Sequence, residues 1–511
     1  MVCLALSLWA GGLPVSAQIL SEEPSGTDSG LTAQTESESE SASEIKESLE
    51  ESLVKGLPSG DVITPPLPPD LTVPADAPPP SPAPALGDAR SSEALIVPQD
   101  PLQVRIESVE GLSLDQALDL AVAQNLAVEQ ARLAILRAGT SLDQALAAFS
   151  PTFSTTWSYL YNQPPTGGSP FVEDSSRISV SLLRLDYTFL DSGRRSAAVD
   201  SAQEAVEIAE LRLDQVIQDT RLAVASAYYQ VQQANALVAI NEASVESSLA
   251  SLRDAQAQER AGLGTRFSVL QAETELANNR QTLIRAQNDQ QLAQRALAEQ
   301  LNFSIPTDVD VIDPIRPQGN WELTLENTIV QALNNRPELE IQRRLLEQSK
   351  DQARSAIASI QPQVNLFATF DFGGDIQVRN STDTGYAAGA NFNWTWFDDG
   401  ASNAAAQGFD IDALTAARTF EQIRNQIRRT TEDAFFTLIN SRQAIDSSKT
   451  AITSAEESLR LARLRFQAGV GTQTDVIAAE TALTTARGNL SNSIIAYNLA
   501  LVQLRRQINQ L

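Results

Sequence analysis

The pentapeptide AGLGT, Ala261 to Thr265, recurs 207 residues later as AGVGT, Ala468 to Thr472. Two glycines within five residues permit a tight chain reversal and end a helix, because glycine adopts backbone angles that other residues avoid. Each pentapeptide separates a very long proline-free stretch with helical spacing from a shorter one. The sequence therefore predicts two long helical hairpins, each of which reverses at one AGxGT tip.

Other segments repeat at nearly the same distance along the chain. The matched segments are LDQAL from Leu114 and LENTI from Leu325, Ser150-Pro151 and Gln361-Pro362, LDSG from Leu190 and FDDG from Phe397, and AYY from Ala227 and AFF from Ala434. Self-similarity at a fixed distance indicates an internal repeat. We interpret residues 111–305 and 320–511 as two tandem copies of one unit of about 200 residues.

Each copy has the same order of patterns, namely a helix, two strands, a long helix and a return helix. The predicted bounds in copies one and two are 113–149 and 323–360 for the first helix, 194–260 and 401–467 for the long helix, and 267–301 and 474–508 for the return helix. Apolar or small residues of the first long helix recur with 3-4-3-4 spacing at Val199, Ala202, Val206, Ala209, Leu213 and Val216. This spacing is typical of coiled-coil packing, so the long helices are expected to pack along neighbouring helices.

Two segments of each copy alternate between apolar and polar residues, which is the signal for β-strands. The residues predicted to share a face are Phe153, Thr155, Trp157, Tyr159 and Tyr161; Leu183, Leu185, Tyr187 and Phe189; Val364, Leu366, Ala368, Phe370 and Phe372; and Tyr386, Ala388, Ala390, Phe392, Trp394 and Trp396. Strands of about ten residues can cross a bilayer when tilted. Four strands cannot close a barrel, and lipid does not tolerate open edges, so several chains must pool strands. The alternative is a soluble hairpin pair packed on helix ends.

The composition excludes most catalytic repertoires. The 511 residues contain no His, one Cys and one Met, and 64 acidic against 37 basic residues give a net charge of −27. Without His there is no imidazole base or ligand, and one thiol excludes Cys-rich metal sites and disulfide frameworks. The acidic excess argues against nucleic-acid binding. The sequence contains no run of about 20 apolar residues, so it predicts no transmembrane helix. We therefore predict no enzyme activity, no cofactor and no metal.

The N-terminal part of the chain differs from the rest. Residues 1–17, MVCLALSLWAGGLPVSA, form an apolar stretch that ends in a small-x-small site before Gln18, as in a secretory signal peptide; a frayed apolar N-terminus is the alternative. Residues 18–110 contain 14 of the 24 prolines, 18 acidic residues and 4 basic residues. Such a segment buries too little apolar surface to offset its ordering entropy, so we predict disorder; a spacer, a cell-wall tether and a solvated tail all remain open as its role.

Residues 111–511 resemble the TolC family of outer-membrane efflux proteins. The resemblance is carried by the duplicated unit, the strand entries AAFSPTF and ASIQPQV, the helix starts TFLDSGRR and TWFDDGAS, the AGxGT tips and the segment NNRPEL from Asn334. It implies an α+β membrane protein that forms a homotrimer. Each chain would give four strands to a 12-stranded outer-membrane barrel, continued by a long α-helical barrel in the periplasm. It also implies docking on a periplasmic adaptor and an inner-membrane pump or ABC transporter, and export of drugs, toxins or proteins.

The resemblance also implies a constriction at the periplasmic end that is lined by acids and closed by polar links. Glu480 matches one acidic constriction position, whereas Ile477 stands at the other. Gln473 stands where the family often has a tip-locking arginine, and copy one has Arg266 at that site instead. The lock is therefore either missing or moved between the copies.

Two further acids near the tips are candidates for the constriction, Asp475 and Glu273. We hypothesise that Glu480, with these two, rings the constriction and favours cations. The alternative is that all three are solvated acids on helix faces. The candidate adaptor-docking residues are Gly262, Leu263, Gly264, Gly469, Val470 and Gly471. Their alternative role is only to reverse the chain.

The leading function is therefore a passive outer-membrane exit duct of a tripartite efflux or type I secretion system. The second reading is a soluble coiled-coil structural or adaptor protein of the cell envelope, although the Gly- and Val-rich β-domains that flank adaptor hairpins are missing from the sequence. A third reading, a Glu/Asp hydrolase, lacks any pocket-like grouping of acids.

Overall fold

The computed structural model describes residues 107–162, 175–303, 307–375 and 382–511. The chain divides into two units, Met1–Ile96 and Val97–Leu511, and all described residues belong to the second. The predicted leader, and the predicted disordered segment up to residue 106, lie outside the described residues. The described part is mostly helical and contains one four-stranded sheet, so the α+β class is confirmed. Within this part, no helix has the length and apolar character needed to span a membrane.

The elements occur in the same order in both halves. The first half comprises β1 (Glu107–Leu112), α1 (Leu114–Gln124), α2 (Leu126–Ala147), β2 (Thr152–Asn162), β3 (Ser175–Leu190), α3 (Arg194–Arg260) and α4 (Arg266–Gln300). The second comprises β4 (Thr307–Val311), α5 (Leu325–Asn335), α6 (Pro337–Ala358), β5 (Gln363–Asp375), β6 (Thr382–Asn393), α7 (Ala401–Gln467) and α8 (Gln473–Gln507). The long helices α3 and α7 have 67 residues each. At about 1.5 Å per residue, each is about 100 Å long.

The first helix of each copy is broken in two, so the prediction of a single helix was wrong. In copy one, Asn125 takes an extended conformation and its side chain accepts a hydrogen bond from the Ala127 amide, which caps α2. In copy two, Arg336 is extended and Pro337 opens α6. The break has a local cause in both copies, because Asn is a preferred N-cap residue and proline disfavours helical backbone before it.

Two short strands were not predicted. β1 and β4 pair in parallel, with Val109 opposite Val309. β1 begins at Glu107, so the predicted disordered segment 18–110 wrongly includes the start of this strand. The pairing joins segments that lie far apart in the chain, and composition does not reveal such a contact.

The four-stranded sheet is antiparallel with the order β2-β3-β5-β6. β3 has two bulges, because Leu182 and Phe189 have no partner in its register with β5. The second bulge displaces Phe189 from the predicted face, and Leu190 lies opposite Val364 instead. β6 ends at Asn393, so Trp394 and Trp396 follow the strand instead of belonging to it. Their rings lie 4.7 Å apart between centroids.

One face of this sheet is apolar and the other is polar. The apolar face carries Phe153, Trp157, Tyr159, Leu183, Leu185, Tyr187, Leu366, Ala368, Phe370, Phe372, Tyr386, Ala388, Ala390 and Phe392. No described side chain of the sheet is buried, and β2 and β6 are its outer strands. The described residues therefore leave both faces and both edges of the sheet uncovered.

The helices pack side by side in two tiers. Next to the sheet, α3 packs against α2 and α6, and α6 packs against α7. Towards the AGxGT turns, α3 packs against α4 and α8, and α8 packs against α7. Between the tiers a core forms around Tyr228, Tyr229, Leu297 and Leu301. α7 is thus a flank of both tiers, opposite α2 in the first and α4 in the second.

Candidate functional site: the hairpin tips and their seam

The two tips have the same backbone geometry. Gly262 and Gly469 have φ angles of 71° and 76°, in the left-handed region that favours glycine. In each turn the residue after this glycine donates a hydrogen bond of 2.9 Å to a carbonyl five residues earlier, from Leu263 to Gln258 and from Val470 to Arg465. The second glycine is required for a different reason. A Cβ on Gly264 or Gly471 would lie 3.0 Å from the side chain of Gln258 or Arg465, respectively.

The residue between the two glycines points into solvent at both tips. Leu263 is 76% exposed and Val470 is 71% exposed. Each lies at the end of a hairpin, and the neighbouring Phe267 is also exposed. Exposed apolar groups grouped at the end of a protein are typical of a contact with a partner.

Asp475 caps a helix. The Thr472 amide donates to Asp475 Oδ2 at 3.0 Å, and the Asp475 amide donates to Thr472 Oγ1 at 3.2 Å, which is a capping box. The hydrogen bonds from the backbone and hydroxyl of Thr472 lower the pKa of Asp475. These contacts give Asp475 the role of capping the start of α8.

Glu480 lies between the hairpins and is only 5% exposed. Its Oε1 accepts hydrogen bonds from Ser247 Oγ on α3 at 2.8 Å and from Arg463 Nη2 on α7 at 3.0 Å. Arg463 also donates to Ser247. Glu480 Oε2 is buried and has no protein partner among the described residues. One carboxylate thus joins α3, α7 and α8.

Gln473 forms a second link between the hairpins. It is buried, and its Nε2 donates to Ser251 Oγ on α3 at 2.8 Å. Arg266 instead lies 3.9 Å from Glu259 across its own tip, with its guanidinium exposed. Glu273 is partly buried on α4. The structure therefore brings together Gln473 and Glu480 along one seam, but not Arg266, Asp475 or Glu273.

The sequence reasoning missed the partners in this seam. We define the hairpin seam by five residues of α3 and their partners: Ser244 with Thr484, Ser247 with Glu480, Ser251 with Gln473, Asp254 with Gln467, and Gln258 with the carbonyl of Phe466. The α3 positions 244, 247, 251, 254 and 258 follow the same 3-4-3-4 spacing as the apolar residues nearer the sheet. That spacing was the available signal, because it places these polar residues on one face of α3.

An ionic cluster around the buried Arg506 lies at the far end of α8, and we call it the Arg506 cluster. The Arg506 side chain is 3% exposed and lies 2.7 Å from both Asp219 on α3 and Glu338 on α6. Arg336 forms two hydrogen bonds to Glu338 and one to Gln507. The NNRPEL segment therefore joins α6 to α3 and α8.

Glu338 makes the stability of the fold depend on pH. Burial alone would raise the pKa of Glu338, but Arg336 and Arg506 outweigh burial and lower it from 4.5 to about 2. A depressed carboxyl pKa adds stability above pH 5, and this contribution disappears as the pH falls towards 2. We expect Glu338→Gln to remove about 3 kcal/mol of this acid-dependent stability, at about 1.36 kcal/mol per pKa unit. Denaturant unfolding at pH 7 and pH 2 measures the difference. Glu347→Gln, at an exposed site, is the control; an equal pH dependence in both variants would contradict the assignment.

Membrane-length strands with one apolar face, joined to paired helical hairpins with glycine tips, define the TolC-like class of outer-membrane channels. The chain belongs to the outer membrane efflux protein family, whose profile matches residues 117–302 and 328–510. It is therefore an outer-membrane channel protein.

Individual relatives agree with this assignment. The protein CyaE of Bordetella pertussis is 24% identical over 384 residues, which cover 75% of this chain and 80% of CyaE. The outer membrane efflux protein BepC of Brucella suis is 26% identical over 185 residues, which cover 36% of this chain and 40% of BepC. Two solved structures show the same fold. VceC of Vibrio cholerae matches with a TM-score of 0.66 at 19% identity, over 78% of this chain and 96% of VceC. The CmeC channel of Campylobacter jejuni matches with a TM-score of 0.69 at 15% identity, over 78% and 85%.

Proposed function

We propose that the chain is one of three identical subunits of a passive exit duct for efflux or type I secretion. Three copies would form a 12-stranded barrel in the outer membrane, continued by a helical barrel in the periplasm. The hairpin tips would dock on a periplasmic adaptor, and an inner-membrane pump or ABC transporter would supply the energy. The cargo would be drugs, toxins or proteins.

The observation that carries this proposal is the uncovered sheet. Its apolar face is exposed, and its outer strands β2 and β6 have unpaired edges within the described part of the chain. Exposed apolar residues suit a lipid-facing wall, and only closure into a barrel removes the edges. Four strands are too few to close alone, which supports pooling of strands between copies.

The helical flanks support an arrangement in which the three copies associate head to tail in a ring. In the first tier Leu136 lies midway along α2, which ends at Ala147 beside the sheet, and Ile411 lies in the first part of α7, which begins at Ala401. Both are exposed apolar residues on opposite flanks, at a similar distance from the sheet. Near the tips, α4 exposes Phe267 and α7 exposes Leu464 in the same way. Matching apolar flanks of this kind suit a heterologous interface that closes into a ring.

Mass determination and conductance test the proposal together. Extracted protein should require detergent, have the mass of three chains, and conduct ions in planar bilayers. A folded monomer in detergent-free buffer, with no conductance, would instead favour the soluble structural or adaptor protein. That second candidate does not explain the aromatic residues on an uncovered face.

The docking role of the tips predicts a selective loss of efflux. Arginine at both exposed positions, Leu263→Arg with Val470→Arg, should preserve the trimer and its conductance, because both side chains are largely exposed within the described part of the chain. Export should fall at least tenfold, since a buried charge at a partner interface costs several kcal/mol. Minimum inhibitory concentrations of exported drugs and cross-linking to the adaptor measure this. Unchanged export would contradict the docking role.

We further propose that the hairpin seam closes the periplasmic end of the duct. Glu480 would act there as a latch between the hairpins through Ser247 and Arg463, in place of the ring suggested by its sequence position. Gln473 would substitute for the family's tip-locking arginine through Ser251. Support comes from the burial of both side chains and from their hydrogen bonds across the seam.

A further inference from the structure

The polar face of the four-stranded sheet carries charged side chains at mid-length. Arg184 and Asp186 lie in the second half of β3, and Asp371 lies past the middle of β5. All three are on the face opposite the one that carries Phe153, Trp157 and Phe370. Most described side chains around them are small and polar: Thr152, Ser154, Thr156, Ser158, Ser181, Asn365 and Thr369. The exception is Phe367, which lies opposite Asp186.

Arg184 and Asp186 form a two-point ion pair. Arg184 Nε donates to Asp186 Oδ2 at 2.7 Å, and Arg184 Nη2 donates to Asp186 Oδ1 at 3.0 Å. Their side chains remain 44% and 40% exposed. Two parallel hydrogen bonds fix the geometry of such a pair, so both charges are held at the wall.

Asp371 is held differently, by neutral donors. Ser181 Oγ donates to its Oδ1 at 2.5 Å, and Thr369 Oγ1 donates to its Oδ2 at 2.8 Å. The hydroxyls orient the carboxylate but leave its charge uncompensated. Arg184 and Asp186 together are neutral, so this group carries a net charge of −1 in each chain.

We infer that Arg184, Asp186 and Asp371, which we call the lumen belt, set an ion preference within the β-barrel that is independent of the hairpin tips. The inference rests on the proposed function, because the polar face lines a lumen only if three chains close the barrel. Three copies would then place a net charge of −3 around the lumen. Asp371 lies level with Ser181, whereas the neutral Arg184–Asp186 pair lies level with Thr369 and Phe367, a few positions further along the strands. The belt favours cationic and neutral solutes over anionic ones.

The size of the barrel determines whether these charges act across the whole lumen. A 12-stranded barrel is wider than the eight-stranded barrels that side chains fill and narrower than the 16-stranded porins. Its wall charges thus lie on the order of 10 Å from the axis, about one Debye length at 0.1 M salt. At 10 mM salt the Debye length is about 30 Å, so the belt acts across the whole lumen.

Reversal potentials of the purified trimer in planar bilayers test the belt, with about 10 mM KCl on the dilute side. Asp371→Asn should lower the ratio of potassium to chloride permeability about twofold, because it removes the uncompensated charge. Arg184→Gln should raise the ratio about twofold, because it exposes the charge of Asp186. The control is Ser181→Ala, which removes a hydrogen bond to Asp371 without changing the charge. All differences should fade in 1 M KCl, where the Debye length is about 3 Å.

The outcomes separate this inference from the proposed function. If the wild-type protein conducts and both charge variants keep its permeability ratio, the inference about the lumen belt is wrong and the proposed exit duct is unaffected. If Ser181→Ala changes the ratio as much as Asp371→Asn, strand distortion explains the effect and the belt is again wrong. If the wild-type protein neither trimerises nor conducts, both fail. Opposite shifts of the permeability ratio in the two charge variants support the inference about the lumen belt. If one charge variant fails to insert into the bilayer, the permeability ratio of the other one decides.

Discussion

Arg506→Ala should lower the free energy of unfolding by about 3–5 kcal/mol, the cost of removing one partner from a buried ion pair. Arg506 contacts Asp219 on α3 and Glu338 on α6, and it is itself buried. Its removal leaves a cavity at the junction of three helices and deprives the partly buried Glu338 of one of its two cations. Urea unfolding followed by helical circular dichroism measures the loss as a lower midpoint at unchanged slope.

A neighbouring residue provides the matched control for this prediction. Arg505 precedes Arg506 on α8 but is exposed, so Arg505→Ala should change stability by less than about 0.5 kcal/mol. Arg506→Met keeps most of the side-chain volume and removes the charge, so it should resemble Arg506→Ala if the ion pairs matter more than packing. Equal stability of the Arg505 and Arg506 variants would contradict a structural role for the cluster.

The sequence predicted the elements whose causes are local. The long helices α3 and α7 have the predicted bounds, and the return helices α4 and α8 begin one residue earlier than predicted, because the glycine tips and proline-free stretches determine where helices end. The break before Pro337 was also local, but it was missed because the apolar period continues across it. β1 and β4 could not be predicted, since their pairing sets Val109 opposite Val309, in segments far apart along the chain.

The sequence identified the tips and two residues of the hairpin seam, Gln473 and Glu480, but not the partners of those two residues. Glycine tips are visible in sequence because their backbone angles restrict the residue type. The burial of Glu480 was not visible, because it depends on Arg463 and on Ser247, which lies 233 residues away. The Arg506 cluster likewise joins residues separated by 168 and 287 positions. Periodicity shows which face of a helix is buried, but it does not identify the helix that covers that face.

Arg463→Ala should shift the channel towards its open state and raise the mean conductance of single trimers. Arg463 donates to Glu480 Oε1, and a hydrogen bond to a charged group contributes about 1.5–3 kcal/mol. Without Arg463, the buried carboxylate of Glu480 keeps only Ser247 as a partner among the described residues. Separation of the hairpins then becomes more favourable, because it lets water solvate the carboxylate. A change of about 2 kcal/mol alters a two-state ratio about 30-fold. Single-channel recordings in planar bilayers measure the open fraction.

Glu480 variants distinguish a latch from a charged ring. If Glu480 is a latch, Glu480→Ala should raise the open fraction as Arg463→Ala does, and the double variant should add little, because both remove one interaction. If Glu480 instead lines a cation-selective ring, Glu480→Gln should lower the cation preference at unchanged conductance, and Arg463→Ala should change neither. Asp475→Asn is the control, since Asp475 caps α8 outside the seam. Because the seam joins α3 to both α7 and α8, weakening it at this one carboxylate frees one hairpin from the other, which a ring residue would not do.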